Sequence, residues 1–396
     1  MSPLRRFIAL YALMYAAFGV SSPFLPAFFE ARGLVPDQLG LLFATGTAVR
    51  LISGPFVGRL ADLTQALRAL LALCTALAAL VALGLLPAAG FWMLLIISLL
   101  HSAALAPITT LADALAVAAA GPPHSTMRFE YGWARGTGSA AFIAGTLVSG
   151  QVVSAWGLPS IIVSHSALLS AAAGAAMLVP EHAPRPERLS AAAWHAPAGG
   201  VLELLRTRRF RLVMLISALV LGSHAMHDVF AVIRWRAAGI TPSMASVLWS
   251  ESVAAEVLVF FLIGPQLVKR LSPPGVMALA AVGGVLRWVA MALTTDVTIL
   301  AMVQPLHGLT FAALHLACMR LIGAVVPHQL AATAQAMYAF GPAATTVLLT
   351  LASGSLYARL GAEAFLVMAL LCASAALLTG RLRTVYSRPA EPGWRR

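Results

Sequence analysis

The sequence predicts an all-α integral membrane protein with twelve transmembrane helices in two pseudo-symmetric six-helix bundles. Three observations predict it. Apolar residues make up 60% of the 396-residue chain and charged residues 10%, too few charges to cover soluble domains of that total length. The mean hydropathy is +0.88. Apolar runs of the roughly 20 residues needed to cross a bilayer follow one another along nearly the whole chain and leave no room for a soluble domain.

The runs lie near 7–29, 38–58, 68–87, 91–119, 131–155, 158–180, 210–232, 243–265, 274–294, 297–326, 330–357 and 363–382. The first follows Arg5-Arg6, as a signal peptide would, but it is long and no small-residue cleavage site follows it, so it reads as an uncleaved first helix. The fourth carries Thr109, Thr110 and Asp113 on an otherwise apolar run, and the fifth carries Arg135. The longest polar stretch, 181–209, is rich in Pro and Ala and ends in a basic cluster. It divides an N-terminal bundle, 1–180, from a C-terminal bundle, 210–396, which ends in a short basic tail. Within it, Val201–Arg206 reads as a short amphipathic helix on the inner membrane surface.

The second half repeats the first. Phe210 opens the seventh span as Phe7 opens the first. The loop after the second span holds Gly58-Arg59-Leu60-Ala61-Asp62 and Arg68, and the loop after the eighth holds Gly264-Pro265 and Lys269-Arg270. Helical spacing places Trp249, Ser252 and Glu256 on one stripe of the eighth span, and Gln304, His307, Thr310 and Phe311 on one stripe of the tenth. The seventh carries His224, His227 and Asp228, a trio with too few ligands for a zinc site. No metal site is expected. His101 and His165 sit alone on apolar runs and read as hydrogen-bonded core residues. Cys74, Cys318 and Cys372 read as small helix residues.

The net charge is +12, and the basic residues number 26. With the N-terminus inside, Arg5, Arg6, Arg59, Arg68, Arg128, Arg185, Arg188, Arg206, Arg208, Arg209, Arg211, Lys269, Arg270, Arg381, Arg383, Arg388, Arg395 and Arg396 are cytoplasmic. Arg32, Arg234, Arg236 and Arg359 fall outside. This asymmetry places both termini in the cytoplasm, with the chain in the cell inner (plasma) membrane. The excess charge is an orientation signal, with some attraction to anionic lipid, and it points to no nucleic acid. Four arginines remain inside spans, Arg50, Arg135, Arg287 and Arg320, with four acids, Asp113, Asp228, Glu251 and Glu256. Ionised groups at that depth are costly unless paired or wet, so they mark a cavity or structural pairs.

Two resemblances sharpen this. A duplicated six-helix unit with a long central loop, together with the Gly-x-x-x-Asp and basic motif after the second span, resembles the major facilitator superfamily. More closely, Leu111-Ala112-Asp113-Ala114-Leu115, Glu130-Tyr131-Gly132-Trp133-Ala134-Arg135-Gly136, Leu248-Trp249-Ser250, Ala255-Glu256-Val257, Gly284-Val285-Leu286-Arg287-Trp288, Leu306-His307 and Cys318-Met319-Arg320 resemble the 3-phenylpropionate permease family. That family is related to the lactose permease branch of oligosaccharide–proton symporters. The resemblance implies a charge pair between Asp113 and Arg135 at the substrate, and a substrate- and proton-linked Glu256, with Arg287 and His307 beside it. Thr310 stands where the branch has its proton-carrying glutamate, and Phe142 lies near its sugar-stacking aromatic position. Arg50 is an addition relative to lactose permease and fits the phenylpropionate-like pattern.

The expectation is therefore a proton-coupled symporter for a small organic solute, an aromatic or other carboxylic acid, working by alternating access with substrate between the bundles. The binding residues would be Arg50, Asp113, Arg135, Phe142, Trp249 and Glu256, and proton coupling would involve Glu256, Asp113, Arg287, His307 and Asp228. An extra guanidinium suits a carboxylate; alternatively Arg50 pairs with Asp228 or Glu251. A sugar or nucleoside symporter and a drug-type exporter are the rival transporters. A receptor or a membrane-embedded enzyme is the remote alternative, since no phosphate loop, His-Glu-x-x-His or Gly-x-Ser-x-Gly motif occurs. Besides the proton gradient no cofactor is expected, and besides lipid no obligatory partner.

Overall fold

A computed structural model of the chain describes residues 2–120, 129–180 and 198–386. Most of the central stretch, 181–197, lies outside the described residues, as do Arg128, Arg185, Arg188, Arg388, Arg395 and Arg396. Among the described residues every regular element is helical. Twelve successive spans can be labelled α1 (Pro3–Ser21), α2 (Pro36–Thr64), α3 (Leu67–Leu83), α4 (Phe91–Ala120), α5 (Tyr131–Trp156), α6 (Pro159–Leu178), α7 (Arg208–Ala237), α8 (Pro242–Leu271), α9 (Pro273–Leu293), α10 (Val297–Val325), α11 (Ala331–Leu360) and α12 (Ala364–Tyr386).

Prolines punctuate these spans. Pro36, Pro159 and Pro273 sit in first turns, where a missing N–H costs nothing. Pro55 and Pro342 lie inside continuous helices, whereas Pro23, Pro107 and Pro305 fall at breaks in runs that periodicity alone reads as continuous. The first expected span, 7–29, ends early at Ser21; after Pro23 the chain resumes as a short helix, Leu25–Ala31. α4 is interrupted at Ala106-Pro107. In α10, Pro305 sits in a 3-10 turn, Gln304–Leu306, and a π turn follows at Leu309–Ala313. α8 has its own π turn at Val259–Ile263. The expected helix at Val201–Arg206 is present as Ala198–Arg206, with Leu204 buried.

The chain packs as two compact units: Met1–Glu187 with Val232–Ser250, and Arg188–Ala231 with Glu251–Arg396. The sequence division places all of 210–396 in the second bundle. In the structure the stretch from Val232 to Ser250 packs with the first unit, where Arg236 pairs with Glu30 at 3.6 Å and Ser243 meets Ser154 at 3.2 Å. Inside the first unit α1 packs on α5 and α6, α3 on α6 and α4, and α2 on α4. Inside the second, six spans later, α7 packs on α11 and α12, α9 on α12 and α10, and α8 on α10. The internal repeat thus has a structural counterpart.

Small residues set the closest crossings, as is usual where lipid supplies no hydrophobic drive between helices. At α1 and α5, a Cβ on Gly145 would lie 2.5 Å from the Ala16 carbonyl oxygen, so backbone meets backbone there. Each unit has its own apolar core: Phe7, Leu10, Met14 and Leu111 in the first, Phe210, Ile216, Met277 and Leu314 in the second. Cys74, Cys318 and Cys372 are buried and unbridged.

Candidate functional site

In the first unit the polar centre is built by three tyrosines. Tyr11 and Tyr15 lie one turn apart on α1, and Tyr131 opens α5. The Tyr11 and Tyr131 hydroxyls both donate to Asp113 Oδ1, at 2.5 and 2.8 Å. Arg135 Nη1 donates to the Tyr15 hydroxyl, and the guanidinium lies 4.9 Å from the centre of that ring. Gly138 leaves room for the ring: a Cβ there would meet Tyr15 at 2.8 Å. Asp113 and Arg135 therefore do not form the direct charge pair that the resemblance implied. Phenol donors occupy the carboxylate, and a cation–π stack holds the guanidinium. The tyrosines carry no formal charge, so a search for intramembrane charges passes over them. The i, i+4 spacing of Tyr11 and Tyr15 was the available signal.

Arg50 lies within α2, exposed, with no hydrogen bond or ion pair to any described residue. Phe142 is half-buried, and its backbone packs on Gly19. Trp249 is buried in the stretch of α8 that packs with this unit. His101 and His165 are buried and hydrogen-bonded as expected, but they are not isolated: their rings meet edge-on, with the Nε2 atoms 3.2 Å apart.

The second unit centres on Arg287, whose side chain is fully buried. It donates through Nη2 to Gln304 Oε1 at 2.7 Å, and contacts His307 Nδ1 at 3.1 Å and His227 Nε2 at 3.2 Å. A guanidinium has no acceptor, so both of these histidine nitrogens must be lone pairs. The opposite nitrogens then carry the protons. His307 Nε2 faces Glu256 Oε2 at 3.4 Å, and His227 Nδ1 faces Asp228 Oδ1 at 3.5 Å. Arg287 thus reaches two carboxylates through two neutral imidazoles. With both acids ionised the set carries one net negative charge, and a single proton neutralises it.

Local backbone places these groups. A Cβ on Gly308 would lie 2.7 Å from the Ala255 carbonyl oxygen, so α8 and α10 touch beside Glu256 and His307. The 3-10 and π turns of α10 bracket His307 and aim Gln304 at Arg287; π turns recur at working sites. Ser252 donates to Gln304 at 3.0 Å. Thr310, at the expected glutamate position, meets His224 Nε2 at 3.0 Å. A cavity of about 410 Å³ opens beside this network, lined by Asp228, His224, His307 and Phe311, and also by His315 and Tyr338, which the sequence reading did not single out. Arg320 is exposed towards the end of α10. Among the described residues no group of three His, Cys, Asp or Glu side chains is arranged to hold a metal.

The family model described as the MFS_1 like family matches residues 4–368. The chain belongs to that family. Over 381 residues this MFS_1-like chain is 30% identical to the "Probable 3-phenylpropionic acid transporter" of Escherichia coli (strain K12), covering 94% of this chain and 96% of that one. It is 22% identical to an uncharacterized transporter of Bacillus subtilis (strain 168), over 83% and 80% of the two lengths. Among solved structures it resembles the nucleoside transporter NupG, with a TM-score of 0.84 at 15% identity, covering 98% of this chain and all of that one. That likeness shows the fold. The MFS_1-like protein is a multi-pass membrane transporter of the major facilitator type and not an enzyme.

Proposed function

We propose that this transporter is a proton-coupled symporter for a small organic acid, with an aromatic carboxylic acid as the best-supported class. Arg50 carries the proposal. A guanidinium inside an apolar span, exposed and without a counter-ion among the described residues, is an anchor for a carboxylate, which it binds bidentately. A neutral sugar or nucleoside brings no negative charge to balance it. The name of the Escherichia coli relative, a probable 3-phenylpropionic acid transporter, supports the same class.

Arg135, set by Tyr15, is the second anchor, and Phe142 and Trp249 are the apolar walls. Asp113 already accepts two phenol hydrogen bonds on one oxygen and acts as a fixed acceptor. Glu256 is the better proton carrier. Its carboxylate lies 3.4 Å from His307 Nε2, and its protonation removes the net negative charge of the Arg287 network. His307 and Arg287 orient it, and His227 and Asp228 form the opposite arm. Alternating access then moves the acid and the proton together, in the inner membrane with both termini cytoplasmic, as the arginine distribution supports.

Uptake into proteoliposomes of radiolabelled 3-phenylpropionate, a disaccharide and a nucleoside, each with and without an inward proton gradient, tests this. Gradient-driven accumulation of the acid alone is expected. Accumulation of the sugar or the nucleoside in its place would overturn the substrate class.

A further inference from the structure

The first unit holds two histidines that the transport scheme above does not use. His101 on α4 and His165 on α6 retain 7% and 2% of their surface. Their Nε2 atoms lie 3.2 Å apart. His101 Nδ1 is 3.0 Å from the Ala78 carbonyl oxygen on α3, and His165 Nδ1 is 2.8 Å from the Ala17 carbonyl oxygen on α1.

A carbonyl oxygen only accepts, so each Nδ1 must carry a hydrogen. Two neutral rings in that state would turn two lone pairs towards each other at the Nε2 contact. A third proton, on either Nε2, converts that contact into N–H···N. All three contacts are satisfied only by three protons on two rings, one imidazolium and one imidazole. The neutral alternative moves one proton from Nδ1 to Nε2 and leaves a lone pair facing a carbonyl oxygen, an unpaired buried contact.

We propose that His101 and His165 form a proton-binding site that takes one proton from solution when an anion neutralises Arg50. Charges and titratable groups around the pair are few. α2 brings Arg50, one turn from Gly46 and one from Gly54 on the face turned to α4: a Cβ on Gly46 would lie 3.1 Å from the hydroxyl of Ser102, the neighbour of His101, and one on Gly54 would lie 3.9 Å from the Ala106 carbonyl oxygen. α3 brings Cys74, one turn from Ala78, and the α1 tyrosines Tyr11 and Tyr15 are engaged with Asp113 and Arg135. Asp113, also on α4, is held by Tyr11 and Tyr131. Arg50 is thus the fixed positive charge that opposes filling of the pair.

A carboxylate on Arg50 cancels that charge, and the incoming proton forms the third N–H bond. When the acid leaves, the proton is expelled, and one ring gives up its carbonyl. The filled pair ties α1, α3, α4 and α6 together; the empty pair releases one of those ties. The anion link rests on the reading of Arg50 as an acid anchor, whereas the three-proton arithmetic does not.

Full-length protein labelled with ¹⁵N-histidine, in lipid nanodiscs, tests both parts. His101→Gln and His165→Gln assign the resonances. The wild type with 3-phenylpropionate should show three protonated nitrogens and one bare nitrogen for the pair. Two bare nitrogens from about pH 5 to about pH 8, the range in which imidazole titrates, would overturn the proposal. Arg50→Gln, without any acid, should keep the third proton to a pH about one unit higher than in the unliganded wild type, a shift typical of removing a nearby like charge. Titration at the wild-type pH would overturn the link to Arg50. Calorimetry in two buffers of different ionisation enthalpy adds a count: H101Q should take up one proton fewer per bound acid, and an equal count refutes the site. Absence of acid transport by the wild type would refute the proposed function alone, since the spectra still report the proton.

Discussion

Glu256→Gln tests the Arg287 network most directly. The substitution keeps the side chain's shape, and its amide oxygen can still accept the His307 Nε2–H that now faces Glu256 at 3.4 Å. The charge changes. In the wild type, Arg287 and two carboxylates sum to one negative charge, so a proton restores neutrality; in E256Q, Arg287 and Asp228 already balance. The variant has no electrostatic reason to bind that proton. One proton moved down a gradient of one pH unit releases about 1.36 kcal/mol, a factor of ten in an accumulation ratio. Proteoliposomes with an interior about one pH unit more alkaline than the medium should therefore show E256Q accumulating labelled acid about tenfold less than the wild type. Exchange of labelled for unlabelled acid without a gradient should persist, because binding and alternation remain. An accumulation ratio equal to that of the wild type would refute Glu256 as a carrier.

Arg50→Gln should weaken acid binding roughly ten- to hundredfold, the equivalent of losing one charge-assisted contact worth about 1.5–3 kcal/mol, with isothermal calorimetry as the check; unchanged affinity would remove Arg50 from the site. Gly145→Val should force α1 from α5, costing about 1–3 kcal/mol as overpacking does, and lower the melting temperature; an unaltered melt would mean that the crossing relaxes. Glu30 follows the first span, where burial raises its carboxyl above the ordinary range although Arg236 pulls it back. An acid raised in the folded state binds its proton more tightly there than when unfolded, so its charge costs stability at neutral pH and the cost fades as pH falls through its folded value. Glu30→Gln should therefore melt higher than the wild type at neutral pH, with the gap closing in mild acid; a variant that melts lower at neutral pH would show that the pairing with Arg236 outweighs the burial.

What the sequence made legible was what a single helix carries within itself. The fifth span, expected at 131–155, is Tyr131–Trp156, because hydrophobic length and Gly157 mark it locally. The contact between Glu256 and His307 was legible because the resemblance supplied two helices at once. His101 and His165 looked isolated because periodicity reads one helix at a time, and 64 positions separate them. The 3-10 and π turns of α10 were hidden for another reason. A proline announces a break, but neighbouring helices decide how the freed backbone is satisfied. The direct Asp113–Arg135 pair came from the resemblance alone, whereas in this chain the neutral Tyr11, Tyr15 and Tyr131 supply the donors and the ring that the two groups use.

Trp288 adjoins the buried arginine, with Arg287 4.7 Å over its ring, His224 edge-on at 5.3 Å and His227 at 5.8 Å. Its indole N–H is held by Ser223 at 2.8 Å, so the fluorophore is fixed among groups whose charge differs between protonation states. Protonated imidazole quenches indole emission, and a nearby cation shifts its wavelength. The difference spectrum between the wild type and Trp288→Phe would therefore isolate a native optical signal from the Arg287 network, readable during turnover without any attached dye.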